Sequence, residues 1–252
     1  KFAAMVLCNV SVHPDNLATM SELGSLPPLI KMLTDKEEVV ARHAAMALTN
    51  LCNDGTNQLL IAKLGAITPL IDLANSQDSE SSRYSGITLA NLAAHRQNRN
   101  PIVVLGGLTP LIKMANSGRL EVQRAAALSL YNISCASANH VPMIKAETVT
   151  AIATLGQVSD LECKRYAIMA LANLAANMET RAAATRSGGL QTAVALIKDA
   201  DMDCKRYACI AMCNMANSAL VQEQIVVHGA LPAILALGQG EDPLTLESRR
   251  QV

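Results

Sequence analysis

The 252-residue chain has no tryptophan, one phenylalanine and four tyrosines. A core so poor in rings must be filled by Leu, Ala, Ile, Val and Met. That favours close-packed helices over a β-sandwich or barrel, where aromatic and β-branched residues dominate. The chain also lacks an excess charge: 21 basic and 21 acidic side chains give a formal net charge of zero. Such a balance argues against a nucleic-acid partner, which calls for a strong basic excess. No apolar run reaches the ~18 residues that span a bilayer, and no signal peptide is visible, so direct membrane insertion is not expected. None of the seven cysteines (Cys8, Cys52, Cys135, Cys163, Cys204, Cys209, Cys213) forms a Cys-x-x-Cys pair. Most lie in apolar helical runs, which points to buried free thiols in a reducing compartment and a cytoplasmic location.

Signatures of catalysis are missing too. There is no G-x-S-x-G, P-loop, H-E-x-x-H or G-x-G-x-x-G. The histidines (His13, His43, His95, His140, His228) are isolated in sequence. Cys204, Cys209 and Cys213 share one helix, but their wheel angles of about 80°, −140° and −100° from Asn214 do not converge on a metal. The chain reads as no enzyme, with no cofactor and no metal.

What is present is a repeat. Asn9, Asn50, Asn91, Asn132, Asn173 and Asn214 follow one another at 41-residue steps, and CKRYAIMALANLA at 163–175 returns as CKRYACIAMCNMA at 204–216. Gly24, Gly65, Gly106, Gly188 and Gly229 keep the same step with Glu147 in the fourth slot, as do Asn16, Asn57, Asn98 and Asn139, followed by Thr180. A fixed period without insertions means one supersecondary module stacked on itself. Each module reads as three helices. The Asn16 series stands at an N-cap and opens a short helix. The glycine series ends it in a left-handed turn. A second helix follows, as in SLPPLIKML, with Pro28, Pro69 and Pro110 in its first turn in three successive units. The third helix is longest, as in EVVARHAAMALTNLCN from Glu38. A left-handed turn would strain Glu147, so continuous helix or a reshaped turn is expected there.

A short helix, a glycine, a proline-bearing second helix and a long third helix ending A-L-x-N-L resemble the armadillo repeat, over essentially the whole chain. The resemblance implies an all-α fold, a right-handed α-solenoid (armadillo superhelix) of 41-residue three-helix repeats. It forms a single domain over 1–252, with units 16–56, 57–97, 98–138, 139–179 and 180–220. Partial units at 1–15 and 221–252 flank them, the second entering another third helix at LTLESRRQV. Armadillo third helices line a concave groove, with the recurrent asparagine pointing inward.

Helix geometry then sorts the columns, counted back from each asparagine. Position −4 lies at about −40°, −7 at about +20°, −8 at about −80°, and −2 near 160°, facing the core. Position −7 reads Phe2, His43, Tyr84, Ala125, Tyr166 and Tyr207, collecting four of the five aromatic residues. Partner contact and packing on the adjacent helix are both open for these rings. Position −8 reads Lys1, Arg42, Arg83, Arg124, Arg165 and Arg206. Glu80, Glu121, Glu162 and Asp203 stand three residues before the last four of these. The arginines therefore read as i,i+3 helix support, as forked donors to a ligand's carboxylates, or as both, since a paired guanidinium keeps spare donors. Asn50, Asn91, Asn132, Asn173 and Asn214 carry both donor and acceptor. They would clamp an extended backbone without reading its sequence, or else cap neighbouring carbonyls. Position −4 is Met5, Met46, Ile87, Leu128, Met169 and Ile210. Importin-α-like adaptors carry Trp there, so the chain looks closer to catenin-like and vacuolar-scaffold-like armadillo proteins, whose partners tend to be acidic or mixed extended segments.

The expected function is a non-catalytic scaffold or adaptor that binds an extended, acidic or mixed peptide segment of a partner protein in a groove lined by these Asn, Tyr and Arg residues and His43. The rival is a structural segment of a filament or axonemal-type assembly. That segment would contact neighbours by its ends or convex face, with end-to-end self-association.

Overall fold

The computed structural model describes residues 1–239, and within them the chain is helical with no strand. A lone helix α1 (Phe2–Val10) comes first. Triplets follow: α2 (Asn16–Glu22), α3 (Leu26–Met32) and α4 (Glu38–Leu51); then α5 (Gly55–Lys63), α6 (Ile67–Ala74) and α7 (Ser79–Ala94). The third triplet is α8 (Arg99–Val104), α9 (Leu108–Ala115) and α10 (Leu120–Ser134), and the fourth is α11 (His140–Lys145), α12 (Thr148–Gln157) and α13 (Leu161–Ala176). The fifth is α14 (Met178–Ala184), α15 (Leu190–Leu196) and α16 (Met202–Met215), before α17 (Ala219–Val227) and α18 (Leu231–Gln239). The third helix anticipated at LTLESRRQV lies outside the described residues.

The third helices stack in order, α1 on α4, α4 on α7, α7 on α10, α10 on α13 and α13 on α16, and make one continuous layer. Their composition permits it. In α4, Ala41, Ala44, Ala45 and Ala47 are buried beside Leu48 and Leu51, so small residues admit the neighbouring backbone while leucines fill the core. Leu48, Leu89, Leu130 and Leu171, at the core-facing position −2, are all fully buried. Burying each such side chain is worth about 1.5–3 kcal/mol.

The first helix of each unit also closes the third helix before it. The last carbonyls of a helix have no partner inside it, and here side chains supply one. Asn16, Asn57, Asn98 and Asn139 donate Nδ2 to the carbonyls of Val10, Leu51, Leu92 and Ile133 at 2.9–3.1 Å, and Thr180 Oγ1 donates to Leu174 at 2.7 Å. The next residue along repeats the device. Gln58, Arg99, His140 and Arg181 reach the carbonyls of Cys52, Ala93, Ser134 and Ala175. Asn98 and Asn139 hold the expected N-cap positions of α8 and α11, whereas Asn16 and Asn57 lie inside α2 and α5; in none of the four does the side chain cap the helix that follows, because the amides donate backwards to carbonyls. The aspartate that accepts from helix N–H groups is Asp54, on Thr56 and Asn57.

The turn between first and second helices is left-handed throughout, with φ of 78° to 95° at Gly24, Gly65, Gly106 and Gly188. Glu147 adopts it as well, at φ 57° and ψ 29°. The expectation of a continuous or reshaped helix there is therefore wrong. The surrounding repeat geometry holds a non-glycine residue in the left-handed region, at a cost of roughly 1–2 kcal/mol. The irregular turn is the next one, where the chain loops widely through 185–189.

Candidate functional site: the third-helix layer

Arg42, Arg83, Arg124 and Arg165 each cross to the next unit. Arg42 places Nε and Nη2 on the two oxygens of Asp78, at 3.1 and 2.9 Å. Arg165 does the same on Asp201, and Arg124 puts both nitrogens on Asp160. These aspartates are also N-caps: Asp78, Asp160 and Asp201 accept from the N–H of Ser81, Cys163 and Cys204 at 2.9–3.0 Å. Arg124 holds the nearly buried Asp160 carboxyl down to about 2, and Arg165 does the same for Asp201, in both cases with help from the capping N–H. One carboxylate thus starts a helix and anchors the preceding unit to it.

The i,i+3 reading of the arginines holds only for Glu80 and Arg83, at 2.8 Å. Glu121, Glu162 and Asp203 face the preceding unit's cation instead, pairing with Arg83, Arg124 and Arg165. Arg42, Arg83, Arg124 and Arg165 thus direct their guanidinium forks at the chain's own carboxylates. Arg206 has no carboxylate partner among the described residues and lies 5.9 Å from the Tyr207 ring centroid. Its equivalent partner by register, Asp242, lies outside them. The acidic series at position −13 (Glu37, Asp78, Asp160, Asp201) was legible at the same 41-residue step and is the signal the column analysis missed.

The asparagines divide by partner. Asn50 Nδ2 donates to Ser11 Oγ at 3.0 Å, and Asn173 Nδ2 to Ser134 Oγ at 3.0 Å. Ser11 gives its own proton to the Cys8 carbonyl and Ser134 to that of Tyr131. Each hydroxyl must therefore accept, which fixes the amide orientation. Asn91 and Asn214 make only long contacts, 3.5 Å to the Thr49 carbonyl and 3.4 Å to that of Ala172. The Asn132 side chain, 8% exposed, has no hydrogen bond among the described residues. In all five the carboxamide oxygen has no donor among the described residues. The amide nitrogens of Asn50, Asn91, Asn173 and Asn214 thus serve the preceding unit, and the five oxygens do not.

The rings lie along the same layer. Tyr84 carries the Arg83 guanidinium 4.0 Å from its centroid. Tyr166 stacks on Tyr131, with centroids 5.8 Å apart and planes at 26°. Tyr131 is a site residue that the columns missed, because it stands at position −1. Its unit has Ala125 at position −7, and the stray ring in the one complete unit lacking a ring there was the clue. Burial pushes the Tyr131 hydroxyl up in pKa. His43 donates Nδ1–H to the Val39 carbonyl of its own helix at 2.6 Å. A cavity of about 270 Å³ opens between α13 and α16, walled by Tyr166, Tyr207, Met169, Arg165, Glu162 and Asp203. No cluster of three metal-binding side chains occurs among the described residues.

These features define an all-helical repeat solenoid with one continuous face of inward-cornered amides and rings. Residues 13–53 and 95–135 match the armadillo/beta-catenin-like repeat, and the fold is that of an armadillo solenoid. The chain is similar to an engineered protein of known crystal structure, at 28% identity and TM-score 0.84, over 96% of this chain and 60% of that one. It shares its fold with computationally designed armadillo repeat proteins for modular peptide recognition (24% identity, TM-score 0.77, 84% and 91% of the two chains). A further likeness is to a designed armadillo repeat protein in complex with peptide (KR)4 (23% identity, TM-score 0.73, 84% and 91% covered). No curated protein matches the sequence. The matches carry the repeat architecture and do not divide catenin-like from importin-α-like armadillo proteins.

Proposed function

We propose that the protein is a non-catalytic scaffold that holds an extended peptide segment of a partner protein along its third-helix layer. The observation that carries this reading is the ladder of carboxamide oxygens on Asn50, Asn91, Asn132, Asn173 and Asn214, none of them engaged by the described chain. An extended backbone presents N–H donors that these oxygens can accept. Tyr84, Tyr166 and Tyr207, with the half-buried Met46, Ile87 and Met169, supply apolar contact for alternate side chains. Because Arg42, Arg83, Arg124 and Arg165 are tied to the chain's own carboxylates, the segment is proposed to be of mixed charge rather than acidic. The peptide-binding designs of the same fold support peptide as the partner class. Seven free thiols suit a reducing compartment, and the cytoplasm is the proposed location.

A linear-peptide display library selected on the full chain tests this. Enriched peptides should lose about tenfold or more in affinity on Asn132→Ala with Asn214→Ala, with helicity and melting preserved. No enrichment, or equal binding by the variant, would refute the reading.

A further inference from the structure

Position 119 breaks the charge pattern of the layer. Its equivalents Glu37, Asp78, Asp160 and Asp201 each pair with a cation of the preceding unit, Lys1, Arg42, Arg124 and Arg165. Arg119 cannot. Arg83 therefore turns to Glu80 and Glu121, and Arg119 shares Glu80 through Nη1 at 3.0 Å. Helix α10 is left with no side-chain cap, whereas α7, α13 and α16 each have an aspartate.

A cavity of about 290 Å³ opens at this point, between the loop preceding α7 and the loop preceding α10. Arg83, Lys113 and Arg119 line it together with Ser76, Ser79 and Gln77, and no carboxylate of the described residues reaches its wall. Two carboxylates, Glu80 and Glu121, serve the two arginines. Lys113 has no ion pair or hydrogen bond among the described residues, and Arg119 keeps Nε and Nη2 unused. The donors come from three elements: α9 (Lys113), the α9–α10 loop (Arg119) and the start of α7 (Ser79). The volume equals roughly ten waters at ~30 Å³ each, enough for a tetrahedral anion and the side chain that bears it.

We propose that this cavity binds a phosphoryl group carried on a side chain of a partner protein segment. A phosphomonoester brings a charge near −2 and three terminal acceptor oxygens. Spread donors on a lysine, a partly free guanidinium and serine hydroxyls match it better than they match a single planar carboxylate. The site lies apart from the asparagine ladder and stands without it.

Short peptides Gly-Gly-pSer-Gly-Gly, its serine and aspartate forms, and inorganic phosphate, titrated into the full chain and followed by amide NMR, test the proposal. The phosphopeptide should shift amides of residues 76–83 and 113–121. It should bind about tenfold more tightly than the serine form and more tightly than inorganic phosphate. Lys113→Met and Arg119→Asp should each weaken it about tenfold, the latter with melting temperature unchanged or raised, since it restores the cap of α10. Shifts located elsewhere, unchanged binding by both variants, or no phosphopeptide binding would overturn the site. Inorganic phosphate binding as tightly as the phosphopeptide would overturn the assignment to a partner segment.

Discussion

Arg165 lays its Nε on Asp201 Oδ1 at 3.0 Å, while that same oxygen caps α16 by accepting from the Cys204 N–H at 2.9 Å. The residue that begins one third helix is thereby the residue that docks the third helix before it. Stability of a solenoid is a sum of unit and nearest-neighbour terms, and this carboxylate contributes to both.

Asp201→Ala should therefore cost more than Arg165→Met. The alanine removes cap and cross-unit pair together, and loss of such a cap alone costs about 1–2 kcal/mol. Urea denaturation of both single variants and the double variant checks it. A double variant only slightly worse than Asp201→Ala is expected, because the arginine acts chiefly through that carboxylate, its other pair with Asp203 being longer at 3.4 Å.

The same pairs set an acid limb of stability. Asp160 and Asp201 sit at about 2 in the folded chain, against about 3.9 for an unfolded aspartate. A lowered folded value means the stabilisation is fully present above about pH 4 and disappears as pH falls towards 2. The urea midpoint should drop across that window. In Asp160→Asn with Asp201→Asn the drop should be shallower, from a lower starting value.

Glu147 holds a left-handed turn that glycine occupies in the other units. Glu147→Gly should stabilise the protein by about 0.5–1 kcal/mol, the relief of left-handed strain less the entropy of an added glycine. Differential scanning calorimetry reads it as a rise in melting temperature. A fall would mean that neighbouring contacts, not the repeat geometry, hold the turn.

The asparagines should separate by what their nitrogens do. Asn50→Ala and Asn173→Ala each break a 3.0 Å bond to a serine and should lose about 1 kcal/mol of stability. Asn91→Ala and Asn214→Ala break only long contacts and should leave chemical denaturation within about 0.5 kcal/mol of the parent.

The repeat was legible because its determinants are local: a glycine ends a helix, and a leucine two residues before the asparagine faces the core, wherever the period places them. Direction and partner were not. An asparagine beside a helix start suits an N-cap or a donor to the preceding carbonyls, and only the fold of the chain back onto itself selects the second. Arg124 has an acid three residues before it and another 36 residues after it; spacing favours the first, and the stacked helices bring the second within reach. Tyr131 escaped because its column was defined by the other rings. Glu147 shows the reverse failure, local propensity overridden by the repeat around it.

The most direct measurement of the groove reading is calorimetry with a display-selected peptide and its single-position backbone N-methyl analogues, which lack one N–H donor each. Losses of about tenfold at alternate positions along the peptide, absent in the Asn132→Ala, Asn214→Ala variant, are expected if the carboxamide oxygens take the backbone. N-methyl analogues that bind as tightly as the parent at every position would contradict it.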